Sequence, residues 1–393
     1  MTNKQIKVIL KSGKDEAVRR FHPWVFSGAI KKIEGVVFEG DIVEVYSNNN
    51  EFLGIGHYQD GSIMVRILSF NDQKIDDKFW IDRISEAYAL RLSLKLENTN
   101  VFRLVNAEGD SLPGLIIDYF DGHLVIQCHS IGMFLSRDNI LNSLQKVLKE
   151  KLKSVYDKSA DNIVDKYPEQ TNCYLYGASV NNIEVIENNN KFYIDREKGQ
   201  KTGFFIDQRE NRNLLSRYSQ GKTVLNTFCY SGGFSVYALN AGAKSVVSVD
   251  SSAKAIELCN NNINLNSINN DLHKSVCEDT IEYLTNSNEE FDIIILDPPA
   301  YAKHVNARHN AVQGYKRLNT LAMNKIKKGG LLFTFSCSQV VNSQLFYNTI
   351  MSSAILSKRN VRVLHHLTQP ADHPVNLFHP EGEYLKGLVL EIN

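Results

Sequence analysis

The spacing of apolar residues changes twice along the chain and divides it into three stretches. In the first, from residue 4 to about 72, apolar and polar residues alternate, which is the two-residue period of a half-buried strand. The alternation predicts strands over residues 6–10, 41–46, 52–57 and 62–68. Because these strands are short, closely spaced and separated by glycine-containing turns, they favour a small β-barrel or sandwich.

The second stretch mixes helical and strand patterns. Residues 71–77 are polar and predict a linker, and apolar residues at helical spacing predict helices over 79–96 and 137–152. Strands are predicted over residues 102–105, 115–119, 123–128, 155–156 and 184–187. We interpret Glu108 and Asp110, in the turn between two of these strands, as structural caps, with substrate contact as the alternative. The stretch is therefore predicted to form an α+β module.

Near-continuous apolar runs alternate with helical spacing in the third stretch. The runs predict buried strands over residues 224–225, 245–249, 274–279, 291–296 and 331–335. Helices are predicted over 234–240, 253–264, 318–326 and 343–356, with Gly329-Gly330 ending the third of them. Strands that alternate with helices form a parallel sheet, and its ligands bind at the carboxyl ends of the strands. We therefore predict three domains, over residues 1–72, 73–190 and 191–393.

Composition narrows the class of protein. The formal net charge is zero, so any contact with nucleic acid must come from local basic patches. No continuous apolar run approaches about 18 residues, so we expect no membrane span. The N-terminal residues lack the apolar segment of a secretory signal, and the six cysteines include no CxxC pair. These features indicate a reduced, cytoplasmic protein without a zinc ribbon or an iron–sulfur cluster.

Residues 222–250 carry the first functional signal, a strand, a glycine turn, a helix and a second strand that ends in Asp250. Such a turn lets backbone N–H groups approach a ligand, and an acid at the end of the second strand can accept both hydroxyls of a ribose. The G-x-G-x-x-G fingerprint of dinucleotide-binding proteins is absent, since only Gly232 and Gly233 are paired. A ligand with a ribose but no phosphate, such as S-adenosylmethionine, therefore fits best.

Five predicted strand ends carry chemically capable residues. They are Asn226, Asp250, Asp279, Asp297 with Pro298-Pro299, and Cys337. Each alone has a structural explanation, such as a helix cap or a small core residue. Together, in order and each at a strand end, they point to one ligand site. Gln208 and Arg209, before the first of these strands, either reach a carboxylate of the ligand or lie on the surface.

Eight runs of residues resemble a known family. They are 22–28 (HPWVFSG), 110–114 (DSLPG), 201–209 (KTGFFIDQR), 224–234 (VLNTFCYSGGF), 296–299 (LDPP), 333–338 (FTFSCS), and 371–374 (ADHP) with 384–387 (YLKG). The chain resembles the large-ribosomal-subunit cytosine-5 methyltransferases, the RlmI-like proteins, within the class I S-adenosylmethionine-dependent methyltransferases. The resemblance implies an N-terminal PUA domain with a small β-barrel, a central α+β domain of EEHEE type, and a Rossmann-like α/β methyltransferase domain with a mostly parallel sheet.

The resemblance also implies roles for individual residues. The implied donor contacts are Gln208, Arg209, Asn226, Phe228, Tyr230, Ser231, Gly232, Asp250, Ser251, Asp279, Asp297 and Pro298. The residues themselves suggest RNA contacts at Arg20, His22 and Trp24, in a run that mixes cations with stackable rings, and at Tyr301 and Lys303, just after the Asp-Pro-Pro turn. Solvated surface charge is the alternative for the arginine. Large-subunit ribosomal RNA is the implied partner, and a homodimer is compatible with the resemblance.

The proposed chemistry gives Cys337 a role. A thiolate that adds to carbon 6 of a pyrimidine makes carbon 5 nucleophilic enough to attack a methyl sulfonium. Asp297 can hydrogen-bond N3 and the exocyclic amine, which favours cytosine. We therefore expect Cys337 and Asp297 to be catalytic, while the base that removes the carbon 5 proton stays unassigned.

Alternatives from other classes remain open. An Asp-Pro-Pro turn followed by a tyrosine, here Tyr301, also serves enzymes that methylate a base nitrogen, and Cys337 would then be incidental. A non-catalytic RNA-binding assembly factor that keeps the donor fold is a second alternative, and a hydride-transfer enzyme is the weakest. His365, His366, His373 and His379 match no common set of metal ligands, so we expect no metal site.

Overall fold

The computed structural model describes residues 6–180, 183–302 and 304–393, which group into two compact units. The first unit comprises residues up to 183, together with 195–204 and 371–382. The second comprises 184–194, 205–370 and 383–393. Each unit consists of separate stretches of chain, and this division does not test the three predicted domains. The domain limits at residues 72 and 190 therefore stay predictions.

The first unit begins with a six-stranded mixed sheet. Its elements are β1 Lys7–Leu10, α1 Glu16–Arg19, β2 Trp24–Phe26, β3 Ile30–Glu34, β4 Ile42–Tyr46, β5 Phe52–Tyr58 and β6 Ile63–Ser69. The strand order is β2-β6-β5-β4-β1-β3, with β1 parallel to β4 and antiparallel to β3. The alternating residues predicted the strands correctly, because Val8, Val43 and Val65 point into one buried core. Strands β2 and β3 were not predicted.

A second sheet completes the first unit. Its elements are α2 Asp77–Ser93, β7 Val101–Asn106, β8 Leu115–Phe120, β9 His123–Cys128, α3 Ile131–Leu135, α4 Arg137–Leu148, β10 Ser154–Asp157, α5 Ala160–Ile163 and β11 Cys173–Tyr176. The strand order is β11-β10-β9-β8-β7. The predicted hairpin is present as β8 and β9. Helix α4 ends four residues before the predicted limit, since Lys149 has a left-handed φ of 49°.

The second unit is a Rossmann-like α/β fold. Its elements are β12 Ile183–Glu187, β13 Asn190–Ile194, α6 Arg209–Ser219, β14 Thr223–Thr227, α7 Gly233–Asn240, β15 Ser245–Asp250, α8 Ala253–Leu265, β16 His273–Cys277, α9 Thr280–Asn286, β17 Phe291–Leu296, α10 Arg308–Lys325, β18 Ile326–Ser336, α11 Ser343–Ser357, β19 Val361–Thr368 and β20 Lys386–Ile392. The seven-stranded sheet has the order β16-β15-β14-β17-β18-β20-β19. Its first five strands are parallel, and β20 runs antiparallel to both of its neighbours.

The prediction that Gly329-Gly330 ends a helix is wrong. Helix α10 already begins at Arg308 and ends at Lys325, and both glycines lie inside β18. Gly330 pairs with Ile392 of β20, and a Cβ at this position would lie 2.7 Å from the carbonyl oxygen of Asp292. The glycine is therefore explained by the close approach of neighbouring backbone rather than by a helix end.

The centre of this sheet positions the candidate site. Residues Leu225, Ile294 and Leu332 of β14, β17 and β18 are fully buried, as expected for parallel strands covered on both faces. The carboxyl ends of these strands therefore lie at one edge of the sheet, with the loops that follow them. Within the described ranges, no helix has the length and apolar character needed to cross a membrane.

Candidate active site

The turn after β14 has an unusual backbone. Phe228, Tyr230 and Gly232 have left-handed φ values of 53°, 45° and 73°. Non-glycine residues seldom adopt this conformation, and it is concentrated at functional sites. At Gly232 a Cβ would lie 2.5 Å from the sulfur of Cys259, so no larger residue fits without a shift. The turn is therefore held in one shape by its backbone and by α8 beneath it.

Asp250, the last residue of β15, is hydrogen-bonded to the backbone of this turn. Its Oδ2 accepts the backbone N–H of Tyr230 at 3.0 Å, and its Oδ1 accepts that of Ser252 at 2.9 Å. Each carboxylate oxygen can accept further hydrogen bonds, so two adjacent ribose hydroxyls can still be bound. The next residue, Ser251, is exposed. The predicted acid thus lies beside the predicted turn.

Asn226 lies at the base of the turn and is buried. Its side-chain N–H donates to Ser235 Oγ at 2.8 Å, whereas its Oδ1 has no hydrogen-bond partner among the described residues. A buried amide oxygen without a partner is costly, so it suits a ligand that brings a donor, such as the ammonium of S-adenosylmethionine. The unbonded oxygen of Asn226 and the carboxylate of Asp250 therefore fit a methyl donor that has both an amino-acid group and a ribose.

Asp279 occupies a different position from the predicted strand end. Strand β16 ends at Cys277, and Asp279 caps helix α9 by accepting the backbone N–H groups of Ile281 and Glu282 at 2.8 and 3.1 Å. Both bonds go to Oδ1. The capping alternative is therefore observed, and a donor contact by Asp279 stays a prediction.

Gln208 and Arg209 are 2% and 1% exposed, so the alternative that they lie on the surface is wrong. Gln208 accepts a hydrogen bond from the Asn211 amide at 2.6 Å, and Arg209 donates to Glu210 at 3.1 Å. Arg212, one turn later, forms two bonds of 2.8 Å with the buried carboxylate of Glu187. These contacts fix the start of α6, and a contact of Gln208 or Arg209 with the donor stays a prediction.

The loops after β17 and β18 form the other half of the site. Asp297 is half-buried and followed by the buried Pro298, and Cys337 is half-buried just beyond the last residue of β18. The Ser338 hydroxyl donates to the carbonyl oxygen of Ala302 at 2.7 Å, which ties the Cys337 turn to the loop that follows Asp297. The two residues expected to be catalytic therefore belong to loops that are joined directly.

Two tyrosines line this junction. The Ser336 hydroxyl donates to the Tyr315 hydroxyl at 2.9 Å, and the rings of Tyr301 and Tyr315 lie 4.7 Å apart. Burial, and secondarily the charge of neighbouring groups, raises the pKa of Tyr315 to about 12, and burial also raises the pKa of Tyr301. Both phenols are therefore neutral at physiological pH. Tyr315 was not among the predicted residues, because it lies in mid-helix and no motif marks it.

Lys386 was also missed. It is the first residue of β20, lies directly across from Ser336 of β18, and is 7% exposed. Its ammonium donates to the carbonyl oxygen of Ser338 at 2.8 Å. Only the antiparallel pairing of β18 with β20 brings residues 336 and 386 together, so no local pattern could have indicated this contact.

The side chains expected to contact RNA in the first unit already interact with carboxylates of the protein. Arg20 is exposed and lies 3.6 Å from Glu16, and the Trp24 indole donates to Glu108 at 2.9 Å. His22 lies 3.7 Å from Glu381 and packs beside Trp24. Of the expected RNA contacts near the Asp-Pro-Pro turn, Tyr301 is described above and Lys303 lies outside the described residues.

The turn that contains Glu108 and Asp110 is mainly structural. Both Asp110 oxygens bond the buried guanidinium of Arg91, one of them at 2.7 Å, and Asp110 also accepts the Asn106 backbone N–H at 2.6 Å. Glu108 orients Trp24. Asp110 thus behaves as the structural interpretation expected, although its main partner is an arginine rather than a helix end.

Three residues of the first unit, His22, His379 and Glu381, place ligand atoms within 4.8 Å of one another, which is compatible with a metal ion. The tautomer of His22 argues against that use. Its Nδ1 accepts the Trp24 backbone N–H at 3.2 Å, so in the neutral ring the proton is on Nε2 and that nitrogen has no lone pair for a metal. Elsewhere, His365 Nε2 bonds the Tyr218 hydroxyl at 2.8 Å, and His373 lies beside Asp372.

Comparison with known proteins identifies the family to which this chain is similar. Residues 8–70 match the model of a PUA-like domain, and residues 137–374 match that of an S-adenosylmethionine-dependent methyltransferase. Proteins from Alteromonas mediterranea and Tolumonas auensis, both named ribosomal RNA large subunit methyltransferase I, are each 38% identical over 98% of this chain and 98% of their own.

The fold has a match among solved structures. A Streptococcus mutans protein called a SAM-dependent methyltransferase superposes with a TM-score of 0.85 at 23% identity, over 98% of this chain and 100% of that chain. The PUA-like domain and the Rossmann-like sheet expected from the sequence are thus confirmed, and so is S-adenosylmethionine as the methyl donor. The chain belongs to the S-adenosylmethionine-dependent methyltransferase family that includes the proteins named ribosomal RNA large subunit methyltransferase I.

Proposed function

We propose that this methyltransferase forms 5-methylcytosine in large-subunit ribosomal RNA. The ribosomal substrate is supported by the names of relatives that match the chain over nearly its full length. The cytosine-5 chemistry is supported by one observation, the position of Cys337 at the carboxyl end of β18, on a turn bonded to the loop that follows Asp297.

The proposed reaction uses the Cys337 thiolate as a nucleophile. A bond forms between the sulfur and carbon 6 of the cytosine, and the electrons of the 5,6 double bond make carbon 5 enamine-like. The donor supplies an electrophilic methyl group, which carbon 5 attacks as the sulfonium–methyl bond breaks. A base then accepts the carbon 5 proton, the 5,6 double bond forms again as the bond between carbon 6 and sulfur breaks, and Cys337 leaves as a thiolate.

Asp297 is proposed to select and hold the base. Its carboxylate can accept a hydrogen bond from the exocyclic amine of cytosine and, once the adduct has formed, from a protonated N3. A uracil has a carbonyl group in place of that amine and would face the carboxylate with an unpaired acceptor. This proposal makes Asp297 responsible for the preference for cytosine over uracil.

An exposed aromatic surface of the first unit, formed by Phe21, Phe26 and Phe378, is proposed to contact RNA. Phe21, Phe26 and Phe378 are 48%, 45% and 48% exposed, and the Phe21 and Phe378 rings lie 5.3 Å apart. Unstacked bases bind such rings with little sequence preference, and the exposed Arg20 can contact phosphate. The rings of His22 and Trp24 pack beside Phe26, at centroid distances of 6.1 and 6.2 Å.

The test is methyl transfer from labelled S-adenosylmethionine to large-subunit ribosomal RNA, followed by digestion to nucleosides. We expect label in 5-methylcytidine with the native chain, none with Cys337→Ala, and native activity with Cys173→Ala, which removes a half-buried cysteine from β11 of the first unit. Label in another nucleoside, or activity that survives Cys337→Ala, would contradict the proposal. The Tyr301 nitrogen-methylation alternative would then be favoured, and donor binding without any turnover would indicate an assembly factor.

A further inference from the structure

Lys386 contacts the residues on both sides of Cys337 in the chain. Across the sheet it is paired with Ser336, the residue before the cysteine, and its ammonium bonds the carbonyl oxygen of Ser338, the residue after it. Residues directly opposite in an antiparallel pair point to the same face, so the lysine and Ser336 share the face that contacts Tyr315. The ammonium therefore lies beside the turn that presents the Cys337 sulfur.

The lysine is buried at a cost. It is 7% exposed, and lysines are seldom buried unless a partner compensates the charge. Burial lowers the pKa of Lys386 to about 8, and negative charge on Cys337 and Glu383 opposes that shift. The Ser338 carbonyl is neutral, so the negative charges of a Cys337 thiolate and of Glu383 are what favour the ammonium form at this buried position.

Two other groups near this turn, Tyr315 and Asp297, do not favour a thiolate. Tyr315 interacts electrostatically with both Cys337 and Asp297 and is itself neutral, because burial raises its pKa to about 12. The carboxylate of Asp297 carries the same sign as a thiolate and disfavours it. A reactive cysteine in such surroundings needs a cation nearby.

We propose that Lys386 is a positioning residue that holds Cys337 as a thiolate before substrate binds. Its ammonium stabilises the charged sulfur through space, and its bond to the Ser338 carbonyl fixes the turn in which that sulfur lies. The inference extends the proposed cytosine-5 chemistry by naming what activates the nucleophile. It makes a claim about the ionisation of one thiol, which can be measured without RNA or donor.

The test is the pH dependence of Cys337 alkylation by iodoacetamide in the full chain, read from the Cys337 peptide by mass spectrometry. The exposed Cys277 serves as an internal reference in the same sample. We expect Cys337 to titrate at lower pH than Cys277 in the native chain. Lys386→Met should raise the thiol pKa by about one unit and lower its alkylation rate at pH 7 roughly fourfold, because a more basic thiolate partly offsets its smaller population.

Two further variants separate charge from structure. Lys386→Arg keeps the cation and should leave the pH profile of Cys337 close to native. Lys386→Gln keeps a hydrogen-bond donor for the turn but removes the charge, so it should behave like Lys386→Met and serves if the methionine variant does not fold. The difference between native and neutral variants should narrow above about pH 8, where Lys386 itself loses its proton.

Identical Cys337 profiles in the native chain and in both neutral variants, with Cys277 unchanged, would overturn the inference. That outcome is distinct from failure of the proposed function, because alkylation involves neither RNA nor methyl transfer. If Lys386 controls the thiol while Cys337→Ala still methylates RNA, the cytosine-5 proposal fails and the inference about ionisation stands.

Discussion

The hydroxyl of Ser338 donates a hydrogen bond of 2.7 Å to the carbonyl oxygen of Ala302. Ser338 is buried just beyond β18, and Ala302 is buried in the loop that begins with Asp297-Pro-Pro. This one bond sets the spacing between the turn of Cys337 and the loop of Asp297. Its loss should therefore affect catalysis more than folding.

We expect Ser338→Ala to lower kcat for RNA methylation roughly tenfold, because small displacements of a nucleophile cost large factors in rate. Affinity for S-adenosylmethionine should change little, since most of the predicted donor contacts lie on the loops after β14 and β15. Ser352→Ala is a suitable control, as it removes a hydroxyl that bonds a backbone carbonyl within α11. Equal kcat values for the two variants would show that the bond is not needed for catalysis.

The turn after β14 allows a comparison of two glycines. Gly232 and Gly221 have nearly equal φ values, 73° and 72°, but a Cβ at Gly232 meets Cys259 at 2.5 Å, whereas one at Gly221 meets nothing within 4 Å. Both Gly→Ala variants should lose about 1 kcal/mol of unfolding free energy from backbone strain. Only Gly232→Ala should also bind S-adenosylmethionine more weakly, by about an order of magnitude as measured by titration calorimetry, because the added methyl group displaces the turn from Cys259. Equal donor affinity in the two variants would contradict a role for this turn.

The exposed ring of Phe26 tests the proposed RNA surface. Phe26→Ala should weaken binding to single-stranded ribosomal RNA fragments roughly tenfold, because stacking of one base on an aromatic ring is lost. Tyr176→Ala is the matched control, since it removes a ring of similar exposure, 40%, from β11. The measurement is fluorescence anisotropy at constant salt, and a similar loss in both variants would argue against a specific surface.

The stability of the first unit should depend on pH through His57. Burial, and secondarily the charge of Arg66, lowers the pKa of His57 to about 4 from 6.5. The folded protein keeps this ring neutral while the unfolded chain protonates it, so the free energy of unfolding falls as pH drops from about 6.5 towards 4. The full effect is roughly 3 kcal/mol.

Urea denaturation at pH 7.5 and pH 5 should show this loss in the native chain and a smaller loss in His57→Gln, although that variant is less stable at both pH values. His309→Gln, at an exposed position, should keep the native difference. An unaltered pH difference in His57→Gln would assign the effect to other groups. Partial burial, and secondarily the charges of Arg196 and Lys153, also lower the pKa of His123 to about 4, which makes His123 the next residue to vary.

Many strands and helices could be predicted because the spacing of apolar residues repeats over two to four positions. The alternation around Val43 and the apolar run that includes Ile294 are local consequences of burial on one face or on both. The order of Asn226, Asp250, Asp297 and Cys337 at strand ends followed from the same patterns, together with the rule that parallel strands present their carboxyl ends on one side.

Errors arose where one residue type serves two purposes. Gly330 was expected to end a helix, yet it lies inside β18 because the neighbouring backbone leaves no room for a Cβ. Asp279 was assigned to a strand end and instead caps α9. Arg209 was allowed a surface position, but the structure buries it completely. A local sequence pattern gives the type of each residue, but it does not show which other residues that side chain will contact in the folded protein.

The contacts that define the site depend on the assembled sheet. Ser336 and Lys386 are brought together by the antiparallel pairing of β18 with β20, and the Ser338–Ala302 bond joins loops that follow different strands. Amino-acid patterns specify elements because periodicity acts over a few residues. Which side chains meet across 36 or 50 positions is set by strand order and register, since those are properties of the whole packed sheet.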